Sequence, residues 1–130
     1  MTVVGHTALS AGTGQSITLD NAANHFTTLG ISRAGDVTLR EADALELGTL
    51  TVGGALDLTL GGALGDGGSG RLTVQGTTRI VATGQAVTLD NAGHDFVGAV
   101  SVTAQDATVF DRNHLALGAL TLTGQLHLQA

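Results

Sequence analysis

The 130-residue chain has no cysteine, no proline, no tryptophan and no tyrosine, and only three phenylalanines and one methionine. Without cysteine there is no disulfide scaffold, no cysteine-ligated zinc and no thiol nucleophile. The same absence fits an exported protein that avoids oxidative cross-linking. Charged residues make up 12% of the chain, against about 25% in a typical soluble domain. Eleven acids and five bases, all of them Arg, give a net charge of −6. Five scattered Arg do not form the clustered basic footprint that phosphate binding needs, which argues against a nucleic-acid partner. Base stacking is poorly served without Tyr or Trp. No apolar run approaches the roughly 18 residues of a membrane-spanning helix. The start, Met1-Thr2-Val3-Val4-Gly5, has neither the basic nor the apolar stretch of a signal peptide.

What is there is 42% apolar residues, mostly Ala, Val, Leu and Ile, together with 20 glycines. That is too apolar for disorder. It is also too poor in aromatics for an ordinary globular interior, and small aliphatic side chains suit thin, uniform layers.

The strongest signal is self-similarity. Thr13-Gly14-Gln15-Ser16-Ile17-Thr18-Leu19-Asp20-Asn21-Ala22 returns as Thr83-Gly84-Gln85-Ala86-Val87-Thr88-Leu89-Asp90-Asn91-Ala92. The register holds downstream: Phe26 matches Phe96, Asp36 matches Asp106, Leu47 matches Leu117, and Leu58 matches Leu128. About 20 of 48 positions are identical at an offset of about 70 residues. Upstream the match is weaker, with Val4 against Val74 and Thr7 against Thr77. The chain therefore reads as a little under two copies of one unit: 13–82, then 83–130, with a partial copy at 1–12.

A finer rhythm runs inside each unit. Ile17-Thr18-Leu19, Val37-Thr38-Leu39, Leu45-Glu46-Leu47, Leu56-Asp57-Leu58 and Leu72-Thr73-Val74 alternate apolar and polar residues. Period two marks strands with one buried face. Gly, Asp and Asn punctuate the runs, and no helical stripe is present. A sandwich, a barrel or a β-helix could use such strands. The hairpin dipeptides are nearly absent, with Asp66-Gly67 the single case. A long internal repeat is what a solenoid produces. The expectation is one all-β domain over 1–130, a parallel β-helix of roughly six or seven coils of about 18–23 residues. Proline would break a ladder in such stacked strands. The patch 61–70 reads as a loop or coil edge, since the strand pattern resumes at Leu72.

The polar candidates each have a structural explanation. Asp20, Asn21, Asp90 and Asn91 recur in both copies and read as turn residues, because Asp and Asn bond their own backbone. As an acid–base pair they would be unusual, since a catalytic site tends to occur once per chain. His6, His25, His94, His114 and His127 form no HxH or HExxH pattern and read as exposed or turn histidines. The glycine patch lacks both the tandem Asp of calcium-binding nonapeptides and the Lys of a phosphate loop. Ser, His and Asp are present, but no nucleophile elbow places them together. Thr-x-Thr runs do not recur on successive coils as an ice-binding surface requires, and they follow from the β-propensity of Thr. The segments where the two copies differ most contain Arg40, Glu41, Phe110 and Arg112. Those four residues are the candidate binding face. No cofactor or metal ligand set is read.

Ile-Thr-Leu-Asp-Asn-Ala-Ala-Asn-His-Phe at 17–26 and Val-Thr-Leu-Asp-Asn-Ala-Gly-His-Asp-Phe at 87–96 resemble the repeats of large bacterial exoproteins. So do Ala-Asp-Ala-Leu-Glu-Leu-Gly-Thr-Leu-Thr-Val-Gly-Gly at 42–54 and Leu-Ala-Leu-Gly-Ala-Leu-Thr-Leu-Thr-Gly at 115–124. The family is the filamentous-haemagglutinin-like adhesins of two-partner secretion. The resemblance implies a right-handed parallel β-helix, export through an outer-membrane transporter, and a place at the surface of a Gram-negative cell. It carries over no catalytic residue. The chain lacks the secretion domain and effector of that family and so resembles an internal piece of the stalk.

The expected function is therefore a non-enzymatic stalk segment whose partners are neighbouring coils of a longer chain. Two alternatives stand beside it. One is an outer face that binds a host-cell glycan or protein receptor. The other is a β-helical polysaccharide lyase or hydrolase using Asp36, Asp57 or Asp106. Ile17, Leu19, Val37, Leu39, Leu47, Leu58, Val87, Leu89, Leu117 and Leu128 are expected to point inward. Open strand edges at both ends predict end-to-end association.

Overall fold

A computed structural model describes residues 1–12 and 14–130. Thr13, at which the first full repeat copy begins, lies outside the described residues. Fifteen strands follow one another and no helix occurs among the described residues. They are β1 (Thr2–Ser10), β2 (Ile17–Leu19), β3 (His25–Ala34), β4 (Val37–Glu41), β5 (Leu45–Val52), β6 (Leu56–Leu60), β7 (Leu64–Gly65) and β8 (Leu72–Val74). They continue as β9 (Thr78–Val81), β10 (Ala86–Leu89), β11 (Asp95–Phe96), β12 (Val100–Ala104), β13 (Asp106–Phe110), β14 (Leu117–Leu122) and β15 (Leu126–Gln129).

The pairings recorded between these strands are parallel, each strand bonding to one a full turn away. They form three columns. The first holds the starts of β1, β3 and β5, then β7, β10, β13 and β15. The second holds the ends of β1, β3 and β5, then β8 and β11. The third is the 6-stranded sheet β2-β4-β6-β9-β12-β14. The chain is a β-solenoid of about six turns.

Alternation decides which side chains enter. In Leu56-Asp57-Leu58-Thr59-Leu60 the three Leu are buried and the polar pair lies outward. Stacking puts like on like: Leu39, Leu58, Ile80, Val102 and Leu120 pair in one row of the third column. Each fully buried aliphatic side chain stabilises by about 1.5–3 kcal/mol. The outward row beside it is Thr18, Thr38, Asp57, Arg79 and Ser101, which is no threonine array.

The repeat and the turn do not share a period. Three turns along the third column carry Ile17 to Thr78, and Val87, the repeat partner of Ile17, comes nine residues later on the first column. Each element of the second copy is thus advanced by one face. β4 of the third column matches β13 of the first, and Phe26 of the first column matches Phe96 of the second. Leu50–Val52 of the second column match Leu120–Leu122 of the third. β6 matches β15 with its pairing kept, Val37 with Leu56 against Ala107 with Leu126. Upstream the sequence match is corrected by one residue. Val3 pairs with Phe26 as Val74 pairs with Phe96, while Val4 is 88% exposed.

Of the residues expected to point inward, Val37, Leu39, Leu47, Leu58, Val87 and Leu89 are buried, and Ile17 and Leu19 are partly buried against the core. Leu117 and Leu128 lie on the inward rows, paired with the buried Val100 and Val109, yet are 44% and 36% exposed. They belong to the last described turn, where β14 and β15 each pair on one side.

Candidate functional site

The polar residues that repeat do the same backbone task in both copies. Asn21 Oδ1 accepts the Ala23 N–H at 2.9 Å, and Asn91 Oδ1 accepts the Gly93 N–H at 2.8 Å. These are the side-chain-to-backbone turns expected of Asn. Asp20 and Asp90 precede them and are exposed. Asp36 accepts the Ala55 N–H at 2.8 Å, and its repeat partner Asp106 accepts the Gln125 N–H at 2.7 Å. Glu41 accepts the buried Phe26 N–H at 2.9 Å, and Asp111 accepts the buried Phe96 N–H at 3.2 Å. An amide left without a partner inside a protein costs about 1–3 kcal/mol, so a carboxylate at each of these corners is a stabilising device.

Glu41 was read as part of an outer binding face, and here the structure corrects the sequence. Its side chain is buried, with Oε2 turned to the Phe26 amide. His25 is half-buried beside it, its Nδ1 3.5 Å from Glu41 Oε1 and 3.1 Å from Asp43 Oδ2. Desolvation raises the Glu41 pKa above 4.5, against the lowering effect of the Phe26 amide. The other three candidates do not converge on one surface. Arg40 lies on the third column; Phe110, its repeat partner, lies on the first. Phe110 rests against His127 with ring centroids 5.5 Å apart. Arg112 lies 3.9 Å from Asp95. The one-face advance separates any pair of repeat-equivalent positions in this way. Asp57 faces Arg79 at 3.2 Å on the surface.

A further polar cluster joins the glycine patch to the turn at 91–94. The patch 61–70 supplies β7 and then a tight loop in which Gly67 and Gly68 take φ of +63° and +79°. That left-handed pair turns Asp66 inward, where it is 3% exposed. Gly70 closes the loop, its N–H donating to Asp66 O at 2.8 Å. A Cβ at Gly70 would run into the carbonyl oxygen of Leu47, so only glycine fits. Asp66 accepts the Gly68 N–H at 2.9 Å and the Asn91 N–H at 3.0 Å. The third contact is His94 Nε2, 2.8 Å from Asp66 Oδ2.

His94 is fully buried. Its Nδ1 accepts the Leu72 N–H at 3.0 Å. A nitrogen that accepts carries no proton, so the proton sits on Nε2 and is donated to Asp66. Desolvation lowers the His94 pKa below 6.5, partly offset by Asp66. Burial alone would raise Asp66, but the Gly68, His94 and Asn91 hydrogen bonds outweigh it and hold its pKa below 3.8. The pair is a neutral imidazole on an ionised carboxylate, clasping two successive turns. Both ring nitrogens are engaged, so neither meets a substrate.

The sequence reading missed this clasp, since His94 was taken as an exposed or turn histidine. The signal was a substitution inside the repeat: Asn24 stands where the second copy has His94. Asn24 also bridges backbone, donating to Leu19 O at 3.0 Å. Among the described residues, no group of three His, Asp or Glu is placed to hold a metal ion.

A concavity of about 530 Å³ lies on the first column between His25, Thr27, Glu46, Leu64, Gly65 and Thr88. It exists because Gly65 has no side chain to fill the outward row between Glu46 and Thr88. Arg40 and Glu41 border a smaller one of about 310 Å³ with Thr59 and Gly61.

A protein family described as repeats of unknown function (DUF5649) matches residues 1–31 and 34–103. The interruption falls at Ser32 and Arg33, where the β3–β5 register also shifts. Comparison with curated proteins and with solved structures returned no match.

Proposed function

The chain belongs to this repeat family, and we propose that it is a non-enzymatic spacer, a stiff segment of a longer surface stalk. The observation that carries the reading is the equivalence of the two copies. Asn21 and Asn91, Asp36 and Asp106, and Glu41 and Asp111 each satisfy a backbone amide at matching corners. What the repeat conserves between its copies is therefore turn and corner chemistry. A catalytic constellation would instead open to solvent, and the Asp66–His94 pair, whose His94 stands where the first copy has Asn24, is closed.

The rest of the reading follows from the exoprotein-like phrases of the sequence. The segment is carried out of a Gram-negative cell through an outer-membrane transporter and holds a distal domain away from the surface. Antibody labelling of intact cells that make the protein tests this. Label on unpermeabilised cells is the expected result; label seen only after permeabilisation contradicts it.

A second reading has one observation in its favour, the concavity framed by His25, Glu46 and Thr88. Polar groups around an apolar floor suit a carbohydrate. Binding on a glycan array that is lost in Gly65→Gln, which fills the notch, would favour that reading over the spacer.

A further inference from the structure

We propose that the concavity on the first column binds an amino sugar, with the sugar's charged amine on Glu46 and its hydroxyls on His25, Thr27 and Thr88. This rests on the carbohydrate reading of the concavity and names the class of sugar.

The stacking of turns builds the site. Leu45 pairs with Leu64 and Leu64 with Val87, so Glu46, Gly65 and Thr88 follow one another in the outward row. At about 4.8 Å per strand, Glu46 and Thr88 stand about 10 Å apart across the notch left by Gly65. Ala44, Ala63 and Leu64 make a small, apolar floor. Such a floor takes the C–H face of a sugar ring and leaves the ring's edge for the polar walls. The polar set breaks the repeat. At the matching positions of the second copy His25 becomes Asp95, Thr27 becomes Val97 and Glu46 becomes Ala116. The turn and corner chemistry shared by the copies therefore does not account for it.

What the walls offer is mainly acceptors. Glu46 is exposed and brings a carboxylate to the lining. Asp57 and Asp95 are met by Arg79 and Arg112, whereas among the described residues no Arg lies within ion-pair distance of Glu46. His25 is held from behind. Its Nδ1 is buried, 3.1 Å from Asp43 Oδ2 and 3.5 Å from Glu41 Oε1. The Glu41 side chain is wholly buried, and its Oε1 has no hydrogen-bond partner among the described residues. Two carboxylate oxygens so close put the proton of a neutral ring on Nδ1. The His25 side chain is 36% exposed. With Nδ1 buried, that exposure belongs to the edge carrying Nε2, which is then an acceptor at the concavity. The Thr27 and Thr88 hydroxyls donate or accept. The matching occupant is rich in donors and positively charged, on a chain whose net charge is −6. A neutral sugar leaves Glu46 without a counter-charge, and an acidic sugar is repelled by it. An amino sugar gives Glu46 an ammonium, a charge-assisted hydrogen bond, and gives His25 Nε2 a hydroxyl donor.

Titration calorimetry with oligoglucosamine, at a pH where its amines are charged, tests this. Its N-acetylated counterpart keeps the rings and hydroxyls without the charge, and oligolysine keeps the charge without the rings. Oligoglucosamine should bind, and each of the other two should bind at least about tenfold more weakly, as the loss of a hydrogen bond to a charged group predicts. Glu46→Gln should weaken oligoglucosamine by a similar factor, and Gly65→Gln should abolish its binding. A Cβ at Gly65 meets nothing nearer than the Thr88 carbonyl oxygen at 4.0 Å, so that substitution fills the notch without disturbing the strands, which circular dichroism checks. Equal binding of the N-acetylated oligomer, or an unchanged affinity in Glu46→Gln, overturns the proposal and leaves the carbohydrate reading standing. Oligolysine binding as tightly as oligoglucosamine reduces the attraction to charge and overturns it as well. A glycan array on which nothing binds removes both.

Discussion

Replacing Asp66 with alanine removes the acceptor that holds the glycine loop, the 91–94 turn and His94 together. The magnitude follows from the contacts. His94 Nε2–H is wholly buried and has no other acceptor. Leaving it unmade costs about 1–3 kcal/mol. The Gly68 and Asn91 amides lie nearer the surface, and each loses a bond to a charged group worth somewhat more than about 1 kcal/mol net. The sum is about 4 kcal/mol, a large part of the roughly 5–15 kcal/mol that stabilises a typical domain. For a chain of this length that corresponds to a fall in melting temperature of more than about 10 °C.

The same clasp sets a pH dependence whose sign is fixed. Folded His94 resists protonation, because its pKa lies below 6.5, while the unfolded chain takes the proton near 6.5. The unfolded state therefore binds more protons in that interval, and stability falls as pH drops from 6.5 through the folded value. Protonation also makes Nδ1 a donor facing the Leu72 N–H. Asp66 acts at more acid pH, its contribution being lost as pH falls below 3.8. Urea unfolding of the parent, Asp66→Ala and His94→Asn between pH 7.5 and pH 5 reads both effects. Asp66→Ala should unfold at much lower denaturant throughout, and His94→Asn should lose the slope below 6.5. An unchanged Asp66→Ala midpoint, or a slope that survives in His94→Asn, would refute the clasp.

Leu47→Asp puts an unpaired charge into the core beneath three turns and should cost several kcal/mol, leaving little cooperative unfolding by circular dichroism. Glu41→Gln keeps an acceptor for the Phe26 amide without the buried charge. Because the Glu41 pKa is raised above 4.5, its stabilisation is fully present below 4.5 and declines as pH rises through the folded value. The Gln variant should accordingly be the more stable one at pH 7 and match the parent at pH 4 in thermal melts. Gly70→Ala forces the loop off the Leu47 carbonyl and should destabilise by about 2–4 kcal/mol, an effect within the range of strained backbone sites.

The parallel solenoid was legible because its code is local. Period-two runs, absent proline and a repeat without hairpin signals all act on neighbouring residues. Ile17, Val37 and Leu58 could be placed on the inner face from alternation alone. The mismatch between repeat and turn was not legible, since coil length varies: Val37 to Leu56 is a shorter step than Leu64 to Val87. Arg40 and Phe110 were accordingly read onto one surface that the fold divides between two columns. Glu41 looked like a surface charge because alternation gives no hint that a strand-end carboxylate turns in to meet an amide one turn away. Asp66 and His94 are 28 residues apart, and only the stacking of turns brings them together. Their signal was confined to the glycines that let Asp66 turn inward and to the change from Asn24 to His94.

The central claim is that this chain is a regular stack of turns whose repeat advances by one face, with its polar residues committed to holding the stack. Nitroxide labels at Thr18 and Ser101 test it most directly, as the two residues occupy one outward row with Thr38, Asp57 and Arg79 between them. Four parallel strand spacings put their backbones about 19 Å apart. Pulsed dipolar spectroscopy should return a single narrow distance distribution near that value. A broad distribution, or a centre beyond about 30 Å, would contradict the stacked solenoid and the spacer reading built on it.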